Sequence, residues 1–279
     1  MQELSIKSFA KINIGLNIIS KRDDGFHNLQ TIFYPLSLHD VVTIRKSNQF
    51  IFTSNDLDLA RDKNNLIIRA HNLIEKTCGK NLNCEIHLQK NIPIGAGLGG
   101  GSSNAASVLK GLNELFSLEI DSLKLSSLAL ELGSDVPLFL DKLPAYAESR
   151  GEKLFPIKLD LHGFLLIVNP GIHVSTKFAF SKITPKLPSQ SLKDLIVNGE
   201  IKFEDLIRYA SNDFEEIVFE EFPEIKEIKE RMIQFGSNFS LMTGTGSTVF
   251  GFFADEEAAY QTELFFKCRN YFTYLERLS

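Results

Sequence analysis

From Pro93 to Ser103 the chain reads PIGAGLGGGSS, with five glycines in the seven positions Gly95 to Gly101. Glycines at that density remove the side chains that hold a backbone away from a ligand, so successive amides can converge on an anion. Directly behind them the pattern predicts a helix from Asn104 to Phe116 with Ser102 and Ser103 at its cap. Its amino end adds unpaired N–H groups and the positive end of a dipole. The chemistry assembled is a phosphate cradle made of Pro93, Ile94, Gly95, Ala96, Gly97, Leu98, Gly99, Gly100, Gly101, Ser102 and Ser103.

Two common phosphate loops do not fit. The P-loop pattern GxxxxGK[ST] fails because no lysine follows the glycines. The dinucleotide pattern GxGxxG is met by Gly95, Gly97 and Gly100, but it belongs directly after a central strand that is apolar throughout. Here Cys84 to Lys90 alternates polar and apolar residues, as a half-exposed antiparallel strand does, and Asn91-Ile92-Pro93 intervenes. Both a Walker-type NTPase and hydride transfer are disfavoured.

Other residues carry chemistry only in combination. Lys11 and Asn13 fall on the same face of a strand, opposite Ile12, Ile14, Leu16 and Ile18. Asp135 precedes Val136-Pro137, and Thr243-Gly244-Thr245-Gly246-Ser247 is a second small-residue turn. Taken singly, Lys11 reads as a solvated charge, Asp135 as a helix cap and the turn as an ordinary hairpin.

Composition frames these positions. At 279 residues, 43% hydrophobic and 23% charged, the chain has the profile of a globular protein with room for two domains of roughly 100–150 residues. A net charge of −5 without any dense Lys/Arg tract argues against nucleic acid as a partner. Cys78, Cys84 and Cys268 give neither a disulfide framework nor zinc-ligand spacing. The first residues lack the uninterrupted apolar core of a signal peptide, and no run approaches the ~18 apolar residues of a spanning helix. The expected compartment is the cytoplasm, with no membrane association.

The elements that must position these residues follow from periodicity. Strands are predicted over Phe9 to Ile18 and Asn28 to Leu38, joined by a turn that ends at Phe26 and His27. Helices are predicted from Asn65 to Thr77 and Ser122 to Leu132, with Gly79 and Gly133 as stops. Leu154 to Asn169 is strand-like, and the domain boundary is placed near Phe155, giving domains 1–155 and 156–279. Beyond it a helix opens at Pro223 and closes at Gly236, strands run over Phe239 to Met242 and Thr248 to Phe253, and a last helix covers Glu256 to Asn270. The second half is therefore α+β. The stretch from Lys182 to Asn212 gives no functional signal beyond a loop at Pro185 and Pro188.

Three motifs in order, Ala10-Lys11-Ile12-Asn13, Pro93 to Ser103 with its helix, and Met242 to Ser247, resemble those of the GHMP kinases. AKINIGLNI, GFHNLQTIF, GLGGGSSNAA, GSDVPLFL and MTGTGSTVF are most similar to the branch of that family that phosphorylates a cytidine-diphosphate-linked polyol in isoprenoid biosynthesis. The resemblance implies an α+β, two-domain GHMP kinase fold. Its N-terminal domain is ribosomal-protein-S5-domain-2-like, its C-terminal domain is a ferredoxin-like α/β sandwich, and the active site lies in the cleft between them. It implies ATP with Mg²⁺ held mainly through the nucleotide, and a monomer or weak homodimer. By position, Asp135 matches the family's base and Lys11 its partner, while the Gly-rich run matches the ATP loop. On the substrate side the matching positions are Asn13, Phe26, His27, Thr176, Phe180, Gly244, Thr245 and Gly246. Phe26 stands where the family has tyrosine, which keeps a stacking face and loses a hydroxyl. A mevalonate- or homoserine-type kinase and a non-catalytic nucleotide-binding regulator are the alternatives.

Overall fold

A computed structural model describes residues 3–278. The chain divides into two compact units that are interleaved along the sequence. The first comprises the residues up to Ala10, Leu36–Ile94 and Gly99–Lys142; the second comprises Lys11–Pro35, Gly95–Leu98 and the chain from Leu143 onward. The interleaving arises because two long strands, β1 (Glu3–Lys21) and β2 (His27–Lys46), each contribute to both units. Compactness thus groups the chain differently from a single cut at residue 155.

In the first unit β3 (Ile51–Ser54) pairs in parallel with β4 (Cys84–Gln89), whose other edge is antiparallel to the second half of β2, Val41 opposite Gln89 and Lys46 opposite Cys84. The alternation of Cys84 to Gln89 is therefore a one-faced strand, as predicted, but with one parallel neighbour. Helices α1 (Leu57–Arg61), α2 (Leu66–Cys78), α3 (Gly100–Leu115) and α4 (Ser122–Leu132) follow, and a 3-10 turn runs over Pro137–Leu140. Asn65 caps α2 through its side chain and Gly79 closes it in the left-handed region, as the sequence indicates. Ile67, Ala70 and Ile74 of α2 pack with Val108, Leu109 and Leu112 of α3 over Val42, Ile44, Ile86 and Leu88 of the strands.

Helix α3 differs from expectation at its start. It begins at Gly100 rather than Asn104, so Ser102 and Ser103 lie within the first turns and cap nothing. Its N-cap is Gly99 in the left-handed region, and no side chain bonds the cap.

In the second unit the first half of β2 pairs antiparallel with β5 (Ala145–Ser149), and β5 with β6 (Lys153–Pro156). The predicted strand from Leu154 to Asn169 is two, the second being β7 (Gly163–Asn169). There follow α5 (Thr176–Lys182), a 3-10 turn at Leu192–Leu195, α6 (Phe203–Tyr209), α7 (Glu215–Glu221), α8 (Pro223–Gln234), β8 (Phe239–Met242), β9 (Val249–Phe253), α9 (Glu256–Lys267) and β10 (Phe272–Leu278). β10 lies beyond the predicted last helix, in residues for which the sequence predicts no element. The sheet order is β10-β7-β9-β8, antiparallel throughout, with α8 and α9 packed on it. Leu16 and Ile18 of β1 join Leu166, Val168, Val249, Phe253, Ile228 and Phe266 in its core.

Candidate active site

The second unit contains a point at which all three signature segments meet. β1 runs Lys11 and Asn13 into it on the face opposite Ile12 and Ile14, yet both polar side chains are buried, at 4% and 3% exposure. Two charged or polar groups are kept out of water only where hydrogen bonds replace it. The Lys11 ammonium donates to Asn13 Oδ1 at 2.6 Å and to the Gly97 carbonyl at 2.9 Å, and the Lys11 amide donates to the Leu98 carbonyl at 3.0 Å. Asn13 in turn donates from its amide to Thr243 Oγ1 at 2.9 Å and from Nδ2 to Thr31 Oγ1 at 2.9 Å. Thr31 Oγ1 donates to the Gly15 carbonyl at 2.6 Å, and Thr243 Oγ1 donates to Asn13 Oδ1 at 3.3 Å. Strand β1, the glycine loop and the turn after β8 are thereby fixed to one another. The solvated-charge reading of Lys11 is excluded by its burial.

The glycines serve this meeting point. Gly95, Gly97 and Gly99 all have positive φ. A Cβ at Gly97 would lie 2.6 Å from the Thr243 carbonyl oxygen, so the closeness of the loop to the turn itself demands glycine. Beyond it the first turn of α3 presents amides that no capping side chain takes up. An uncapped 16-residue helix behind a loop of left-handed glycines fits a phosphate chain. Ser102 is half-buried at this end, whereas Ser103 is only 2% exposed. Asp135 is half-buried in the turn between α4 and Pro137–Leu140. It does not cap that 3-10 turn, whose N-cap is Val136 without a side-chain bond.

The turn after β8 is a hairpin loop, Thr243 to Thr248, closed by the Thr243 amide donating to the Thr248 carbonyl at 2.9 Å. Thr245 Oγ1 lies 3.3 Å from Thr176 Oγ1 at the start of α5. One helical turn on, the Phe180 ring lies 5.2 Å from the His27 ring and packs edge-on against Phe214 at 4.8 Å. Partial burial, aided by the Lys21 charge, holds the His27 imidazole below its usual range, so it is neutral at neutral pH with one donor and one acceptor nitrogen. Phe26 is 50% exposed, with the Arg150 guanidinium over its ring at 4.6 Å. His27 is thus brought to Phe180 and Thr176 to Thr245, as one set of polar and aromatic groups in the second unit.

The model of the GHMP kinases N terminal domain matches residues 65–141, and that of GHMP kinases C terminal matches residues 192–271. The chain belongs to the GHMP kinases. This GHMP kinase is 41% identical over 254 residues to the 4-diphosphocytidyl-2-C-methyl-D-erythritol kinase of Bacteroides fragilis, covering 89% of this chain and 91% of that one. It is 39% identical over 266 residues to the enzyme of the same name from Chlorobium phaeobacteroides, covering 93% and 90%. A crystal structure of 4-(cytidine 5'-diphospho)-2C-methyl-D-erythritol kinase superposes with a TM-score of 0.83 at 32% identity, over 98% of both chains. Homoserine kinase from Cytophaga hutchinsonii shares the fold at a TM-score of 0.74 and 18% identity, over 100% of this chain and 95% of that one. The α+β GHMP kinase fold with its N- and C-terminal domains, expected from the motifs, is the fold observed.

Several residues at this GHMP kinase's site carried no sequence signal. Asn212, the last residue of the stretch without a motif, is buried and donates to the Met242 carbonyl at 2.7 Å and the Gly244 carbonyl at 2.8 Å, while its Oδ1 accepts from the Phe214 amide. Glu215 accepts from the Met242 amide at 2.9 Å and pairs with Lys229 at 2.6 Å. Burial pushes the Glu215 carboxyl up, against the opposing pull of that lysine. Together they clamp the turn from behind. An asparagine after a short helix and a glutamate fourteen residues before a lysine are too ordinary as sequence to be singled out. Among the described residues no group of three or more His, Cys, Asp or Glu comes together, and no helix is long and apolar enough to cross a membrane.

Proposed function

We propose that this kinase transfers the γ-phosphoryl group of MgATP to the 2-hydroxyl of 4-diphosphocytidyl-2-C-methyl-D-erythritol, giving the 2-phosphate and ADP in the non-mevalonate route to isoprenoids. The observation that carries the reading is the junction of Lys11, Asn13, the Gly97 carbonyl and Thr243, which joins the three family motifs into one polar centre. It is supported by 41% identity to an enzyme of that name over most of both chains.

In this reading the tertiary alcohol is a poor acid, so Asp135 takes its proton as the oxygen bonds to the γ-phosphorus and the bond to the ADP oxygen breaks. The Lys11 ammonium offsets negative charge at the alcohol oxygen. Residues 93–103 and the first turn of α3 hold the α- and β-phosphates, with the Ser102 hydroxyl on phosphate or on Mg²⁺ that the nucleotide itself carries. Cytosine stacks on Phe26 and is read by the neutral His27 edge, with Phe180 as its second aromatic neighbour. Asn13, Thr176 and Gly244 to Gly246 line the path of the polyol. The boundary near Phe155 separates domains 1–155 and 156–279 as stretches of sequence, each holding one matched family region. The partners are two small molecules in the cytoplasm, bound by a monomer or weak homodimer.

The deciding experiment follows ADP release with MgATP and the cytidine substrate, with phosphorus NMR of the product and Asp135→Ala as control. Substrate-dependent ADP and a new phosphomonoester signal, both lost in the variant, are expected. A folded, ATP-binding protein that does not turn over this alcohol would point to another acceptor.

A further inference from the structure

Asp40, near the middle of β2, takes no part in the chemistry above, yet it is a fully buried carboxylate at 0% exposure. Its Oδ1 accepts from the amides of Asn91 at 2.7 Å and Ile92 at 2.8 Å; its Oδ2 accepts from Lys90 Nζ at 2.9 Å and Asn104 Nδ2 at 2.9 Å. Removing a carboxylate from water is tolerated when its lone pairs are filled, and these four donors fill them. The donors are not scattered. Lys90, Asn91 and Ile92 are the last residues before Pro93, and Asn104 lies early in α3, so one side chain grips the chain on both sides of the glycine loop. Lys90 Nζ also donates to the Ile92 carbonyl, and a Cβ at Gly100 would lie 3.0 Å from it, which places the ammonium against the first residue of α3.

A loop with five glycines has no stiffness of its own, since glycine loses more backbone freedom on ordering than any other residue. Amides that must converge on phosphate therefore need to be held by something outside the loop. We infer that Asp40 is a positioning residue of the nucleotide loop, fixing its entry at Asn91-Ile92 and its exit at Asn104 so that the loop amides are set for MgATP. This rests on the assignment of residues 93–103 to ATP. Charge and shape both matter at this position: asparagine would keep one acceptor oxygen and turn an NH₂ group toward two of the four donors.

The test is Asp40→Asn, read by the Michaelis constants for MgATP and for the cytidine substrate, and by hydrogen exchange of residues 93–103 with and without the magnesium complex of a non-hydrolysable ATP analogue. The expected result is an ATP constant raised about tenfold, a cytidine-substrate constant changed by less than about twofold, and faster exchange of the loop amides. A merely structural role would lower turnover by loss of active protein and leave both constants alone; that outcome overturns the inference. If the analogue protects the wild-type loop but Asp40→Asn keeps the wild-type ATP constant, the inference fails and the ATP assignment stands. If the analogue leaves the wild-type loop unprotected, the ATP assignment itself fails. Should Asp40→Asn not fold, Asn104→Ala decides, since it keeps the carboxylate, Lys90 and both amides: a rise of about threefold in the ATP constant is expected, and an unchanged one refutes the inference.

Discussion

Lys11 shows how little a residue type says without its surroundings. In a strand it is ordinarily a solvated charge; here it is buried, bonded to Asn13 and to the Gly97 carbonyl, and lies 5.4 Å from the Phe33 ring centroid. If Lys11 and Asp135 do the chemistry assigned to them, Lys11→Ala and Asp135→Ala will each lower kcat by at least about a hundredfold, the usual worth of a general acid–base or electrostatic group. Circular dichroism must report both as folded; near-normal turnover in either would remove it from the mechanism. His27 carries a pH prediction whose sign follows from its depressed pKa. The folded protein disfavours the protonated ring, so the contribution of neutral His27 to stability and to cytosine binding is complete above the ordinary value of 6.5 and is lost only as pH falls toward the lower folded value. kcat/KM for the cytidine substrate should therefore be flat from neutrality down to 6.5 and decline below it, and His27→Asn should abolish that part of the decline. A decline that begins above 6.5 would assign it to another group.

Elements bring these residues together by two devices, one visible in the sequence and one not. Hairpin β8–β9 was legible from its small-residue turn, and α2 and α4 from their caps, because such signals are local. The clamp behind the turn was not, since Asn212 reaches Met242 and Gly244 across some thirty residues. Asn212→Ala would strip a donor from two carbonyls and an acceptor from the Phe214 amide, and buried groups left without partners cost about 1–3 kcal/mol each. A loss on the order of 2–4 kcal/mol in urea unfolding is expected, together with a raised Michaelis constant for the cytidine substrate. Unchanged unfolding would mean that the turn is held without it. The start of α3 is hidden from local sequence for a related reason: glycine has low intrinsic helix propensity, so Gly100 and Gly101 read as loop, yet packing of the helix against α2 carries them into its first turn.

For the molecule as a whole, ligands should act on stability in proportion to their occupancy. At a hundredfold excess over its dissociation constant, the cytidine substrate should stabilise the folded chain by about 2.7 kcal/mol, a rise of roughly 5–10 °C in the unfolding midpoint. Asp135→Ala should keep that rise while losing turnover, because proton transfer and binding are separate tasks; loss of both would make Asp135 a binding residue. The family and its α+β class were set by the sequence alone, because a phosphate loop, a small-residue hairpin and an amphipathic helix announce themselves within a dozen residues. So were Lys11, Asn13, His27, Thr176 and Phe180 as candidates, through their place in motifs. Only the tertiary structure decided that Lys11 and Asn13 are buried, that Gly97 must be glycine because Thr243 lies against it, and that Asp40 and Asn212 hold the two turns. Those facts depend on which distant segments meet, and a buried polar side chain takes its meaning from the donors and acceptors that folding places around it.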